Sequence, residues 1–241
     1  MKILVVDIGG TNAKVSVSLQ TEVRKIPSGH EFEPRSLVEK VIEIAGDWNY
    51  DVISLGFPGE IKEGKPAIEP LNLGRGWVGF DFAEGFGKPV KMINDAAMQA
   101  LGSYDGGRML YLGLGTGLGS TLILPKVVLP LNLGMLPYRR KSLDDALSRR
   151  GLKRLGLKAW TKCVHEAIHI LRESFGADYV MLGGGNSKKI ENLPPGVPRG
   201  DNRNAILGGF RLWYAASNLS PTLDPAELAD PPAPQELWKI A

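Results

Sequence analysis

The opening stretch, residues 3–14, constrains the fold of this chain more than any other part of its sequence. Ile3–Ile8 is an apolar run rich in β-branched residues, which predicts a buried strand, and it carries Asp7 near its C-terminal end. Two glycines follow at once, so the chain can turn tightly and bring bare backbone N–H groups close to an anion. The residues that supply this turn with N–H groups and side-chain donors are Gly9, Gly10, Thr11, Asn12 and Lys14.

Residues 13–19 predict a second strand, and we therefore predict a β-hairpin with a phosphate-sized turn. Phosphate-binding loops and dinucleotide fingerprints place a helix after their glycines, so they do not explain the segment. An ordinary hairpin whose strand ends in Asp is the alternative.

A second unit of the same design lies about a hundred residues further along the chain. Residues 109–114 and 118–124 predict two apolar strands, and the turn between them is Gly115-Thr116-Gly117. A third glycine turn, Gly183-Gly184-Gly185, follows a strand predicted at 179–182. By itself this third turn is typical of a flexible loop. The two strand–turn–strand units together indicate two related lobes that face one another across a cleft.

The remaining pattern is that of an α/β protein, in which strands alternate with amphipathic helices. We predict strands at 22–27, 51–57 and 89–93, a hairpin at 60–68, helices at 34–48, 80–86, 143–150, 157–175 and 202–216, and a helix that begins at Asn94-Asp95. The predicted lobes are 1–105 and 106–204, with a closing helix near 205–218 that packs back on the first lobe. The proline-rich remainder, 219–241, predicts an extended tail held by Leu237-Trp238.

Composition excludes several classes of function. The formal net charge of +3 is too small to indicate nucleic-acid binding. The densest basic patch is either a solvated helix face or a site for a polyanion, and it comprises Arg139, Arg140, Lys141, Arg149, Arg150, Lys153 and Arg154. Cys163 is the single cysteine, so neither an internal disulfide nor a cysteine cluster for zinc can form. No apolar run approaches membrane-spanning length and the chain begins directly with a strand, so we expect a cytoplasmic protein without membrane contact.

Two carboxylates suit phosphoryl transfer. Asp7 stands beside the first glycine turn, where it could hold Mg²⁺ through water. Asp95 follows a strand and opens a helix, and it could take the proton from an acceptor hydroxyl. The alternative for Asp95 is a helix N-cap, a common role for Asn-Asp before an alanine-rich helix.

Taken together, these stretches resemble the actin-like ATPase and sugar kinase superfamily. The turns at Asp7–Thr11, at 114–119 and at 182–185 are similar to its phosphate-1, phosphate-2 and adenosine motifs. Within that superfamily the chain resembles the ROK (repressor, open reading frame, kinase) family, above all its polyphosphate glucokinases. The supporting stretches are Gly56-Phe57-Pro58-Gly59, Asn72-Leu73 with Trp77, Asn94-Asp95-Ala96, residues 183–189 and Asn202-Arg203-Asn204-Ala205.

The resemblance implies a two-lobed actin-like ATPase (ribonuclease H-like) α/β fold with a cleft between the lobes. It implies phosphorylation of a hexose such as glucose by ATP or inorganic polyphosphate with Mg²⁺, and no zinc. Asp95 corresponds to the catalytic base and Asp7 to the acid that holds Mg²⁺ through water. The implied acceptor residues are Gly59, Asn72, Asn94 and Asn132. The implied phosphate and nucleotide residues are Asp7, Gly9, Gly10, Thr11, Asn12, Lys14, Gly115, Thr116, Gly117, Gly183, Gly184 and Gly185. A homodimer is compatible with the family.

One departure concerns the acceptor. Where the family usually has Glu-Leu-Gly-His, this chain has Asn132-Leu133-Gly134-Met135. Asn still donates and accepts hydrogen bonds, whereas Met offers almost no polar group. A buried sugar hydroxyl left without its partner loses about 1–3 kcal/mol. Two further hypotheses follow: a kinase for a different small acceptor, or a sugar- or nucleotide-sensing protein on the same scaffold with little catalysis.

Overall fold

The computed structural model describes residues 1–201, 203–216 and 236–241. Its strands are Ile3–Ile8 (β1), Asn12–Val17 (β2), Arg24–Pro27 (β3), Val52–Phe57 (β4), Ile61–Lys62 (β5), Lys65–Pro66 (β6), Val90–Asn94 (β7), Met109–Leu114 (β8), Leu118–Leu124 (β9), Val127–Leu131 (β10), Pro137–Tyr138 (β11), Lys141–Ser142 (β12), Tyr179–Gly183 (β13) and Lys239–Ile240 (β14). Its α-helices are Pro34–Ile44 (α1), Phe82–Phe86 (α2), Asp95–Ser103 (α3), Leu143–Leu147 (α4), Arg149–Leu155 (α5), Leu157–Phe175 (α6) and Asn204–Arg211 (α7). Short 3₁₀ turns occupy Leu133–Met135 and Ser187–Lys189.

Two five-stranded sheets form the framework, and four strands of each share one arrangement. The first has the strand order β3-β2-β1-β4-β7, in which β1 is antiparallel to β2 and parallel to β4. The second has the order β13-β8-β9-β10-β14, in which β8 is antiparallel to β9 and parallel to β13. The first and second glycine turns therefore each join a strand to its antiparallel neighbour. The expected α/β fold with two related lobes is confirmed.

Helices α3 and α7 pack against each other and connect the two sheets. Glycines make the close approach possible, because a Cβ at Gly102 would overlap the carbonyl of Asn204 and one at Gly208 would overlap the carbonyl of Met98. Helix α7 also lies on β1 and β4, and α3 contacts β9, β10 and β13 of the second sheet. As a result, α3 has the first sheet on one side and the second on the other.

Strands β10 and β14 were not predicted, and both belong to the second sheet. β14 pairs with β10 in parallel, and Trp238 just before it is buried edge-on against the Tyr104 ring, with centroids 5.5 Å apart. Leu237 forms an antiparallel bridge with Ala215, so the end of the chain is held as expected at Leu237-Trp238. Most of the proposed proline-rich tail, residues 219–235, lies outside the described residues.

The single helix predicted at 143–150 is wrong. The chain is extended at Ser148 (φ −71°, ψ 178°), so that α4 ends at Leu147 and α5 begins at Arg149. The break has a tertiary cause, because the Arg149 N–H donates to the carbonyl of Gly115 in the second glycine turn, at 2.9 Å. The helix predicted at 202–216 is shorter than expected and spans Asn204–Arg211.

Candidate active site

The first glycine turn is closed by its own backbone. The Gly9 N–H donates to the carbonyl of Asn12 at 3.1 Å, and the Ser28 hydroxyl donates to the carbonyl of Gly9 at 2.6 Å. Thr11 and Asn12 are exposed at the tip of this hairpin. A Cβ at Gly10 would lie 3.1 Å from Cβ of Asn72, so a larger residue at position 10 would crowd that side chain. The structure thus brings Asn72, an expected acceptor residue, against the first turn.

Asp7 lies directly beside this turn on β1. Its register partners are Lys14 on β2 and Gly56 on β4. Lys14 Nζ lies 3.2 Å from Oδ2 of Asp7, and the two side chains are 39% and 16% exposed. A Cβ at Gly56 would lie 3.6 Å from Oδ1 of Asp7. The Met98 side chain also packs over Gly56, so Asp7 has one cation partner and lies beside an apolar contact on the side of β4.

Asn94, not Asp95, performs the N-cap function at the start of α3. Its Oδ1 accepts hydrogen bonds from the N–H groups of Ala96 (3.0 Å) and Ala97 (3.2 Å). Its Nδ2 donates to the carbonyl of Gly59 at 3.1 Å, which fixes another expected acceptor residue. The first turn of α3 consequently does not need the carboxylate of Asp95 as a cap.

Asp95 is partly buried and carries an abnormal pKa. Burial, and then the negative charge of Asp7, raise the pKa of Asp95 from 3.8 to about 7, although a hydrogen bond from the Ala96 N–H (2.8 Å) opposes the rise. A carboxylate that titrates near neutral pH can accept a proton during a reaction at that pH. Perturbed pKa values of this kind are concentrated at functional sites.

The second and third glycine turns form one connected unit. The carbonyl of Gly115 accepts hydrogen bonds from the Arg149 N–H (2.9 Å) and from Nδ2 of Asn186 (3.2 Å). The Asn186 N–H donates to the carbonyl of Leu114 at 3.0 Å. Gly184 has a φ of +77° and contacts Leu114 so closely that a side chain would not fit. These bonds leave Thr116, Gly117 and Gly185 on the surface, while Gly183 is buried.

Asp144 is a site residue that sequence reasoning missed. Its Oδ1 accepts a hydrogen bond from the Leu118 N–H at 2.7 Å, directly after the second turn, and its Oδ2 pairs with Arg150 at 2.7 Å. A Cβ at Gly134 would lie 3.2 Å from Cβ of Asp144. Asp144 therefore joins the second turn to the loop that contains Asn132. The local signal in this stretch is Ser142, which caps α4. It predicts the start of a helix and does not predict the contact between Asp144 and Leu118.

The loop 132–135 belongs to the second lobe. Leu133 and Gly134 are buried, whereas Asn132 is exposed and Met135 is 74% exposed. The two residues that depart from the family pattern therefore present their side chains at the surface of the lobe rather than in its core. Their backbones are linked, because the Met135 N–H donates to the carbonyl of Asn132 at 3.2 Å.

The two lobes meet next to Asp95. A Cβ at Gly119, on β9 of the second sheet, would lie 2.6 Å from Cβ of Ala96 on α3. Gly119 therefore allows the backbone that follows the second turn to touch the residue after Asp95. Asp95 therefore lies where the strand that follows a glycine turn of one lobe approaches the other lobe.

A divalent ion is compatible with the residues at this site in one way. Among the residues that the structure describes, no group of three or more His, Cys, Asp or Glu could hold a metal ion. Mg²⁺ commonly keeps several waters and binds through one or two carboxylates together with phosphate groups. The single carboxylate of Asp7 fits that mode, in which the substrate supplies the remaining ligands.

The basic patch is partly neutralised. Arg139 pairs with Glu166, and Arg150 pairs with Asp144. Arg149 and Lys153 share the short helix α5 with Arg150, and its first N–H is bonded to the second glycine turn. A basic surface thus begins directly at that turn.

Comparison with known proteins establishes the class of fold. No family model matches the sequence, and no curated protein matches it. Among solved structures, the inorganic polyphosphate/ATP-glucomannokinase from Arthrobacter sp. strain KM is 23% identical, with a TM-score of 0.71 over 86% of this chain and 96% of that one. The ROK family glucokinase from Streptomyces griseus, in complex with glucose and AMPPNP, is 14% identical, with a TM-score of 0.67 over 87% of this chain and 98% of that one.

The same fold also occurs in a regulator. A ROK family transcriptional regulator, a homolog of the E. coli MLC protein, is 16% identical, with a TM-score of 0.64 over 86% of this chain and 76% of that one. The chain therefore has the two-lobed actin-like fold of ROK proteins, and most of the similar structures are sugar kinases. Within the described ranges, no helix combines the length and apolar character needed to cross a membrane.

Proposed function

We propose that this protein is a ROK-family sugar kinase that transfers a phosphoryl group from ATP or inorganic polyphosphate to a hydroxyl of a hexose-like acceptor. The observation that carries the proposal is the state of Asp95. Asn94 caps α3 in place of Asp95. The pKa of Asp95 is raised to about 7, and Asp95 lies where the lobes meet. The shared fold with sugar kinases supports the same reaction.

In this reaction Asp95 accepts the proton of the acceptor hydroxyl as its oxygen attacks the terminal phosphorus. The new bond joins the acceptor oxygen to phosphorus, and the bond to the leaving phosphate oxygen breaks, so that this oxygen keeps the electron pair. The products are a sugar phosphate and either ADP or a polyphosphate shorter by one group.

The chain's other residues hold the substrates in line. The N–H groups of Gly9 and Gly115 bond within their own turns, so Gly10, Thr116 and Gly117 present their N–H groups to the phosphates of the phosphoryl donor. Lys14 adds a positive charge. Asn72, Gly59 and Asn94 face the acceptor. Asp7 would hold Mg²⁺ through water, and when bound this ion neutralises charge on the phosphates.

The choice of phosphoryl donor is part of the proposal. Helix α5 begins at the second turn and carries Arg149, Arg150, Lys153 and Arg154, a basic surface suited to a long polyanion. We propose that both ATP and polyphosphate are used. If only ATP is used, transfer from polyphosphate will be absent at every chain length.

We also propose that the chain consists of lobes 1–105 and 106–204 with α7 closing on the first, and that it acts in the cytoplasm. A homodimer belongs to the same proposal. Light scattering of the purified protein tests it, because a mass of one chain at assay concentration contradicts a homodimer.

The test is a phosphoryl-transfer screen over a panel of hexoses, N-acetyl sugars and polyols with ATP and with polyphosphate. We expect product with at least one hexose, and we expect Asp95→Asn to abolish it while the affinity for ATP stays nearly unchanged. Asp51→Asn is the matched control, because Asp51 lies before β4, away from the glycine turns, where it accepts the Lys2 N–H.

A second candidate is a sensor on the same scaffold, which Asn132 and Met135 and the likeness to a ROK regulator favour. It predicts binding of sugar or nucleotide without product in any pair of the panel. Activity of the Asp95→Asn variant equal to that of the wild type would instead contradict the assigned base.

A further inference from the structure

Tyr111, in the middle of β8, has a buried hydroxyl that the proposed mechanism does not use. The residue is 1% exposed, and its hydroxyl has no hydrogen-bond partner within the described part of the chain. Buried polar groups in native proteins are nearly always hydrogen-bonded, so each exception needs an explanation. A phenylalanine would fill the same space without this unsatisfied group.

The position of the ring connects it to the glycine turns of the second lobe. A Cβ at Gly113 would lie 3.2 Å from Cε1 of Tyr111 and 3.5 Å from its hydroxyl oxygen. A Cβ at Gly183 would overlap the hydroxyl of Tyr111 and would lie 2.7 Å from Cε2, so the hydroxyl end of the ring covers the backbone of β13 directly before the third turn. Both strands that lead into these turns therefore pack on one aromatic side chain.

Tyr111, Gly113 and Gly119 lie on one face of the second sheet, and this face contacts α3. Gly113, beside the hydroxyl, is the register partner of Gly119. Gly119 in turn contacts Ala96, which follows Asp95. Burial, followed by the charges of Asp95 and Asp7, raises the pKa of the Tyr111 hydroxyl above its usual value. The group therefore stays protonated and can act as a hydrogen-bond donor.

Asp95 can use such a donor. Its Oδ1 accepts the Ala96 N–H, and Oδ2 makes no hydrogen bond with another described residue. In structures without substrate, catalytic hydrogen bonds are often long and tighten only when substrate is bound.

We propose that Tyr111 is a positioning residue whose hydroxyl donates to the free carboxylate oxygen of Asp95 when the substrates are bound. The hydrogen bond would hold the carboxylate so that its other oxygen faces the attacking hydroxyl. The inference rests on the proposed kinase function, in which Asp95 is the base.

The experiment compares the wild type with Tyr111→Phe, which keeps the ring against Gly113 and Gly183 and removes only the hydroxyl. We expect kcat to fall about tenfold or more, with the KM values of sugar and ATP unchanged. The melting temperature should stay the same or rise, because an unsatisfied buried group is removed. Tyr104→Phe is the matched control, since Tyr104 is also buried but donates to the carbonyl of Gly107 at 2.7 Å. Its loss should lower the melting temperature and leave kcat unchanged.

A second measurement does not depend on turnover. Addition of glucose, Mg²⁺ and a non-hydrolysable ATP analogue should produce a near-ultraviolet tyrosine difference spectrum in the wild type that is weaker in Tyr111→Phe. If the wild type shows this spectrum but no activity, the result contradicts the proposed kinase function and supports the proposed hydrogen bond of Tyr111. Equal kcat in an active wild type and Tyr111→Phe, or identical difference spectra, would overturn the role of Tyr111.

Discussion

Replacing Asp95 by Asn should make the protein more stable at pH 8 although it abolishes phosphoryl transfer. The carboxylate is partly buried near the charge of Asp7, and its pKa is raised to about 7. In the unfolded chain an Asp titrates near its ordinary value of about 3.9. Between those two values the folded state holds a proton that the unfolded state has released. The stability of the wild type should therefore fall as the pH rises through this window, and the full penalty is present above pH 7.

The size of the penalty follows from the two pKa values. The interval from 3.8 to about 7 corresponds to about 4 kcal/mol at about 1.4 kcal/mol per pH unit. Asp95 is only partly buried, so water screens part of the charge, and we expect about 2 kcal/mol. The amide of Asn keeps an oxygen for the Ala96 N–H, so the variant should retain that hydrogen bond while losing the charge.

The assay is urea unfolding at pH 5 and pH 8 in buffer with a chelator, followed by the fluorescence of the tryptophans. Asp95→Asn should exceed the wild type by about 2 kcal/mol at pH 8 and by about a third of that at pH 5. Asp51→Asn should show the same difference in the free energy of unfolding between pH 5 and pH 8 as the wild type. Equal stability of Asp95→Asn and the wild type at pH 8 would refute the argument that the charge of Asp95 is unfavourable in the fold.

Three further predictions concern catalysis. The value of kcat/KM should decline as the pH falls below about 7, because Asp95 must be ionised to accept a proton, and a rate profile without this acidic limb contradicts its role. Asn132→Glu combined with Met135→His should lower the KM for glucose about tenfold or more, which initial rates over a range of glucose concentrations will show. Asp144→Ala should raise the KM for the phosphoryl donor, because the N–H that follows the second glycine turn loses its acceptor. Asp145→Ala, in the same first turn of α4, should leave that KM unchanged.

The sequence was sufficient for the parts of the fold that local patterns encode. The strand–glycine–strand units predicted at residues 3–14 and 109–124 are present, and the repeated design corresponds to the same strand pairing in both sheets. Apolar runs and glycine dipeptides are short-range signals, so they identify such hairpins without knowledge of the rest of the chain. The Asn94-Asp95 junction was located in the same way.

Contacts between distant segments could not be predicted. The break between α4 and α5 depends on a hydrogen bond from Arg149 to Gly115, and no local feature of residues 143–150 indicates it. Strand β14 has only two residues and forms because it pairs with the edge strand β10. Its residue Lys239 follows its partner Val127 by 112 residues. Asp144 resembled an ordinary acidic residue of a first helical turn, yet its carboxylate holds the backbone after the second glycine turn. Local propensity also left open whether Asn94 or Asp95 caps α3, because both side chains can cap a helix.

Asn94 and Asp95 have different roles, and this difference explains why the site tolerates the unfavourable negative charge of Asp95. Asn94 stabilises the start of α3 and holds the carbonyl of Gly59, so helix formation does not depend on the state of its neighbour. Asp95 is then available to change protonation during a reaction without a change in the helix. Because α3 is packed against both sheets, with Gly119 touching Ala96, the position of this carboxylate relative to the second lobe is set by backbone contacts rather than by mobile side chains. A proton acceptor held in this way needs little rearrangement when the substrates bind, which is the condition under which electrostatic preorganisation accelerates a reaction.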